Sequence, residues 1–263
     1  IFIILDDDWV GQGFVRWLVF LFTIFYSDYM ETCQVLVTGI SGWIAQFCAL
    51  ELCRQGYKVK GTLRTMSRED EVRTALSGVM DIADNVSFCY ADLCEDDGWD
   101  EAVSGCEYVL HVASPFTLNE PKDPDVLIRP ARDGTLRVLH AAQKAGVKRV
   151  VLTSSIVAMN GHLSEGVFGP QSWTDLLAGT RLSAYQKSKT IAEQAAWDFI
   201  QNQEGEGHRL ALTVINPGAV IGPTISPDIS GASLDLCAQM LTGKMPGIPR
   251  LTIPMVDVRD VAR

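Results

Sequence analysis

A short apolar run, Gln34-Val35-Leu36-Val37, leads through Thr38-Gly39-Ile40-Ser41-Gly42 straight into the helix-like segment that starts Trp43-Ile44-Ala45. No feature restricts the fold of this chain more. A strand that turns on two glycines directly into a helix is the opening unit of a parallel sheet, because the chain must cross back over the sheet before the next strand begins. The alternation then continues. Strands are expected at residues 34–38, 58–63, 86–90, 108–112, 149–153 and 210–215, and helices at 43–55, 68–77, 99–103, 126–145, 183–203 and 233–241. Ala145-Gly146 is a good stop for the longest helix. The pattern predicts an α/β fold, a doubly wound parallel sheet with helices on both faces. Residues 203–208 read as a surface loop, and beyond Asn216 the rising glycine and proline density marks a less regular region.

With 263 residues and 47% apolar content the chain can bury the core of one large, or one and a half, domains. A net charge of −10 argues against non-specific binding to nucleic acid or to an acidic membrane. The seven cysteines (33, 48, 53, 89, 94, 106 and 237) form neither CxxC pairs nor a zinc-type grouping. They read as reduced, mostly buried thiols of a cytoplasmic protein, with Cys48 and Cys53 packing on one helix and no metal site expected. Residues 1–29 carry the acidic run Asp6-Asp7-Asp8 and then an apolar stretch interrupted by Arg16. That stretch is short of the roughly 20 apolar residues of a membrane span, and its acidic start is wrong for a signal peptide. The expectation is that Met30 is the native start and that 1–29 is a leader or an upstream-translation product. At the other end a helix is only beginning at Val258, so the chain is expected to be incomplete there.

Thr38-Gly39-x-x-Gly42-x-x-Ala45 sits where a phosphate-binding turn belongs. Gly39 permits the tight turn, and Gly42 lets a pyrophosphate approach the free N–H groups and positive dipole end of the helix. The second strand ends Gly61-Thr62-Leu63-Arg64, where an acidic residue would hydrogen-bond a ribose 2′-hydroxyl. Arg64 there, with Arg68 one turn on, favours a 2′-phosphate and hence NADP(H) over NAD(H). The alternative is two surface arginines. Asp92-Leu93 follows the third strand and is placed to border an adenine ring, although an Asp in a turn is also common for structural reasons.

Tyr185 and Lys189 lie four apart on one predicted helix and project from the same face. At about 4 Å and an effective dielectric near 20, an ammonium is worth roughly 4 kcal/mol to a phenolate, or about three pK units. The expectation is a phenol brought from about 10 toward neutrality, able to give and recover a proton. Ser154 and Ser155 close the fifth strand at the carboxyl edge, where a hydroxyl can bond a substrate carbonyl; the residues alone do not choose between them. His111, in His111-Val112-Ala113-Ser114-Pro115, reads as a core histidine at the same edge. A Ser–His–acid hydrolase is the weaker alternative, since no Gly-x-Ser-x-Gly elbow accompanies the serines.

On Val37–Ala45, Arg64, Asp92-Leu93, His111–Pro115, Thr153-Ser154-Ser155, Tyr185-x-x-x-Lys189, Asn216-Pro217-Gly218 and the run Val256 to Ala262, the chain resembles the extended short-chain dehydrogenases/reductases. Within them it is similar to the dihydroflavonol-reductase-like group of NADPH-dependent aldehyde and ketone reductases. The resemblance implies Ser155, Tyr185 and Lys189 as the catalytic set, with Lys189 holding the nicotinamide ribose. It implies cofactor contacts from Thr38, Gly39, Ser41, Gly42, Trp43, Ile44, Arg64, Arg68, Asp92, Leu93, Val112, Ala113, Ser114, Tyr185, Lys189, Pro217, Gly218 and Val220. Pro115 and Asn160 are the candidate substrate contacts. Asn160 falls where plant dihydroflavonol reductases carry a substrate-contacting Asn, while Gly161-His162 looks more like the microbial aldehyde reductases. Arg181-Leu182-Ser183-Ala184 lacks the Asn-Trp-Tyr-Cys signature of cinnamoyl-CoA reductases, which argues against that activity.

The expected organisation is a cofactor domain at 30–218 and the start of a substrate lobe at 219–263, which family members complete beyond Arg263. The expected reaction is NADPH-dependent reduction of an aldehyde or ketone, in a monomer or homodimer with a small carbonyl substrate. The rivals are a nucleotide-sugar epimerase or dehydratase, against which Arg64 argues, and a catalytically silent NADP-binding regulator.

Overall fold

Val35, Leu36 and Val37 are all fully buried, as a central parallel strand covered on both faces requires. The pleat sends alternate residues to opposite sides. Val37 joins a core with Ala49, Leu50, Val59 and Leu76, and Leu36 joins a second with Val109, Val138, Val150 and Ala196. The computed structural model describes residues 33–115, 120–161, 163, 165–177, 181–203, 208–226, 232–244 and 254–263. The 1–29 segment, Met30, His162 and the middle of the 203–208 loop lie outside the described residues.

Strand β1 (Gln34–Val37) pairs in parallel with β2 (Lys58–Leu63) on one side and β4 (Tyr108–His111) on the other. β3 (Val86–Tyr90) extends β2, and β5 (Arg149–Thr153) followed by β6 (Ala211–Ile215) extend β4, so the order is β3-β2-β1-β4-β5-β6, parallel throughout. The connecting helices are α1 (Trp43–Arg54), α2 (Glu69–Ser77), α3 (Trp99–Val103), α4 (Asp125–Lys144), α5 (Val157–Asn160) and α6 (Ala184–Gln201). α1 and α2 supply the Val37 core, whereas α3, α4 and α6 supply the Leu36 core. This is the doubly wound sheet that the alternation predicts. Strand order reverses between β1 and β4, so the ligand crevice of such a sheet opens above their carboxyl ends.

Boundaries differ from the sequence expectation where side chains take over from the ladder. β1 and β4 end before Thr38 and Val112, because the Thr38 hydroxyl, and no strand carbonyl, accepts the Val112 N–H. α2 is entered through a tight 3-10 turn, Met66–Arg68. Past α4, Gly146 at φ 75° lets its own N–H reach the Gln143 carbonyl and that of Val147 reach Ala142, which closes the helix end on its last carbonyls.

Beyond Asn216, β7 (Ala219–Ile221) and β8 (Met255–Asp257) pair in parallel as a separate ribbon, with α7 (Ala232–Leu241) between them and α8 (Val258–Ala262) after. These strands are too short for periodicity to reveal them. Val220 and Val258 pack with Trp43 and Phe47 of α1, and the Trp43 indole donates to the Pro223 carbonyl at 2.7 Å. Cys48 and Cys53 pack on α1, and burial pushes the Cys48 thiol up to about 12. Among the described residues no helix is long and apolar enough to cross a membrane, and no group of three His, Cys, Asp or Glu could hold a metal.

Candidate active site

The site is built at the β1/β4 reversal, and Thr38 organises it. Its buried hydroxyl oxygen accepts the Val112 and Ala113 N–H groups at 3.1 and 3.0 Å and lies 2.9 Å from His111 Nδ1. With both acceptor positions taken, the single hydroxyl proton goes to Nδ1. His111 therefore carries its own proton on Nε2, 3.3 Å from Thr135 Oγ1 on α4. Burial, assisted by the Lys189 charge, lowers His111 to about 3. It is a neutral core histidine, as its sequence context predicts. Thr38→Val would leave two amides and an imidazole nitrogen without their partner. We expect a loss on the order of 2–4 kcal/mol in urea unfolding; an unchanged midpoint would remove this hub from the account.

The glycine turn keeps its helix end open. Gly42 is the N-cap residue of α1, no side chain caps the helix, and no acidic residue occupies its first turn. The first N–H groups thus stay available to an anion. Gly39 lies against Ala113, so the β1 and β4 turns are in contact. Ser41 and Ile44 are half-buried and Gly42 is exposed. The side chain of Trp43 belongs to the core, as does that of Val220, so either would meet a cofactor through its main chain.

Arg64 is exposed at the end of β2, and its charge reaches Cys94. Arg68 is instead committed to Glu71, with contacts of 2.7 and 3.0 Å. The Asp92 carboxylate accepts the Cys94 N–H at 2.8 Å, the structural turn that sequence allowed as an alternative, and Leu93 packs on Gly134 of α4. Ser114 and Pro115 are half-buried beyond β4. Pro217 accepts from the Ile156 N–H at 3.0 Å, and Gly218 lies against the Pro254 carbonyl. Asn160 is the last residue of α5.

α6 carries Tyr185 and Lys189. Ser183 and Gln186 form a reciprocal capping box at its start, readable as Ser-x-x-Gln in the sequence but missing from the sequence reading. Gln186 Nε2 also donates to the Gly161 carbonyl at 2.9 Å, and Glu120 accepts the Ala184 N–H at 2.7 Å. The helix end is thereby tied to α5 and to the segment after β4. The Ser155 side chain lies within hydrogen-bonding reach of the Tyr185 phenol and acts on it electrostatically, so the structure brings Ser155 to the phenol. Ser154 instead lines a small internal cavity beside Lys189.

Lys189 corrects one expectation. Its ammonium donates to the Thr153 carbonyl at 3.1 Å, and the Tyr185 phenol is raised, not lowered, by burial against the opposing Ser155 bond. Spacing puts the two Cβ atoms on one face, but the four-carbon lysine stem carries its charge past the phenol to the end of β5. The phenol consequently stays protonated at neutral pH, the form that can donate.

The profile of the NAD dependent epimerase/dehydratase family matches residues 35–263. Cinnamoyl-CoA reductase 1 of Arabidopsis thaliana is 38% identical over 232 residues, covering 87% of this chain and 64% of the relative, so the chain spans less than two thirds of that protein. A putative NADPH-dependent methylglyoxal reductase of Candida albicans is 33% identical over 249 residues, covering 87% and 72%. Among solved structures, the yeast methylglyoxal/isovaleraldehyde reductase Gre2 complexed with NADPH superposes with a TM-score of 0.76 at 30% identity, over 87% of this chain and 72% of that one. Alfalfa vestitone reductase gives 0.68 at 25%, over 87% and 70%. On the profile match, the parallel sheet and these relatives, the chain belongs to the NAD dependent epimerase/dehydratase family, among its dihydroflavonol-reductase-like members.

Proposed function

We propose that this chain carries the cofactor-binding and catalytic part of an NADPH-dependent reductase of aldehydes or ketones, with residues 30–218 as the cofactor domain and 219–263 as the start of the substrate lobe. The observation that carries the reading is the Ser155 side chain beside the Tyr185 phenol, with Lys189 buried on the same helix and an uncapped glycine turn at the start of α1. These residues fit a dinucleotide. The open α1 end suits a pyrophosphate, and exposed Arg64 suits a 2′-phosphate. NADPH, when bound, supplies the hydride to the carbonyl carbon. Tyr185 then donates its phenolic proton to the carbonyl oxygen, Ser155 orients that oxygen, and Lys189 holds the sugar beside the reacting carbon. NADPH oxidation by the full-length protein, measured against a panel of aldehydes and ketones, tests the proposal. Absence of turnover across the panel, or tightly retained NAD in the purified protein, would count against it.

Arg64 separates the two dinucleotides. Arg64→Glu removes a charge-assisted hydrogen bond worth about 1.5–3 kcal/mol, or roughly 10- to 100-fold in affinity. NADPH binding, followed by nucleotide fluorescence, should weaken by that factor while NADH binding does not. An unchanged NADPH-to-NADH ratio would take Arg64 out of the site.

A further inference from the structure

Lys189 and Glu193 sit one turn apart on α6, and both are buried, at 8% and 6% exposure. With Ser154, Thr153 and Thr135 they line an internal cavity of about 10 Å³. That is room for about one water. Ammonium and carboxylate make no direct ion pair but line the same small pocket, where little bulk solvent screens their interaction. On its other side Glu193 Oε2 accepts from Asn216 Nδ2 at 2.7 Å, and the same nitrogen donates to the Ser155 carbonyl at 3.1 Å. One carboxylate thus joins the lysine's pocket to the main chain of Ser155 and to the turn after β6. Burying a carboxylate is costly unless both its charge and its lone pairs are answered. Here an amide and a cation answer them.

We propose, resting on the reductase reading above, that Glu193 is a positioning residue: it keeps Lys189 cationic beside the reacting centre and, through Asn216, ties the end of β5 to α6. Neither the mechanism above nor the sequence reading uses it. Lys189 is lowered to about 8, chiefly by burial, with Glu193 acting in the opposite direction. The other titratable groups facing the pair are Tyr185 on the same helix and His111 on β4, which is neutral. α4 presents Ala131 and Thr135 to the pocket, and β5 presents Leu152, Thr153 and Ser154, none of them charged. Removing the carboxylate charge must therefore make the ammonium easier to deprotonate.

Glu193→Gln keeps the shape and an amide-bonding oxygen while deleting the charge, and Glu193→Asp keeps the charge one methylene back. The Lys189 ammonium is followed by NMR of the full chain with 15N-labelled lysine side chains and no added cofactor, assigned by its loss in Lys189→Arg. The Lys189 midpoint should fall by at least about one pH unit in the Gln variant and lie between the other two in the Asp variant. With NADPH and a carbonyl substrate present, the alkaline limb of kcat should move down in step. Equal Lys189 midpoints in all three proteins would overturn the proposal. Shifted midpoints in the variants, with no NADPH-dependent turnover by the wild type, would support the lysine–glutamate coupling and overturn the reductase reading instead.

Discussion

Replacing Tyr185 with Phe should lower carbonyl reduction about a hundredfold to ten-thousandfold, the usual span for losing a positioned proton donor, while leaving NADPH binding nearly intact. The substitution keeps the half-buried ring and deletes only the hydroxyl that meets Ser155. Stability should hardly move, so a matched melting curve separates lost chemistry from lost fold. The pH dependence supplies a second check. Burial raises the phenol above its ordinary value, so the donating form persists through neutrality and is lost only as the solution becomes alkaline. The wild type should decline on that side, whereas the residual rate of the Phe variant should lack the phenol's share of the decline. Steady-state kinetics across pH, with cofactor affinity measured separately, would test both. Full turnover in the Phe variant would remove Tyr185 from the chemistry.

The sheet was legible because its signals are local and repeated. Four- to six-residue apolar strands, a glycine turn and a twenty-residue helix ending at Gly146 each announce themselves within one window of sequence. The shared helix of Tyr185 and Lys189 was legible for the same reason, since four residues apart on a helix means one face. What escaped depends on information that spacing does not carry. Ser154 and Ser155 both lie just past β5, where no pleat fixes which side chain faces Tyr185, so the resemblance and not the spacing singles out Ser155. The reach of a lysine stem decides whether its charge rests on a phenol or, as found, on the Thr153 carbonyl. Thr38 was read as part of a glycine turn, yet its hydroxyl binds residues more than seventy positions away. Glu193 did leave a trace, since it continues the stripe of Tyr185 and Lys189 by one more turn. Once Lys189 is found buried, a carboxylate on the same stripe is itself a reason to look for partners.

Gly39→Val and Gly42→Ala should fail in different ways, and the contrast tests whether the turn is a phosphate site or only a turn. Gly39 has φ +64°, and a Cβ there would stand 2.9 Å from the Ala113 Cβ and 3.3 Å from its Cα. A β-branched residue in left-handed backbone costs about 1–3 kcal/mol, and the overpacking adds a further 1–3 or so. Ala113 cannot step aside cheaply, because its N–H is held by the Thr38 hydroxyl at 3.0 Å. Gly39→Val should therefore lose roughly 2–5 kcal/mol of stability and bind NADPH poorly as a consequence. Gly42 is different. Its φ of −77° suits any residue, and an added Cβ would meet only the Gly39 carbonyl oxygen, at 3.2 Å. Gly42→Ala should melt close to the wild type. Its methyl would nevertheless stand at the open end of α1, where a pyrophosphate must come within hydrogen-bonding distance of the first N–H groups. Losing one or two charge-assisted bonds of about 1.5–3 kcal/mol each should weaken NADPH at least tenfold. A stable Gly42→Ala protein that binds NADPH as tightly as the wild type would mean that the helix end does not hold the phosphates, and the dinucleotide would have to be sought elsewhere on the sheet edge.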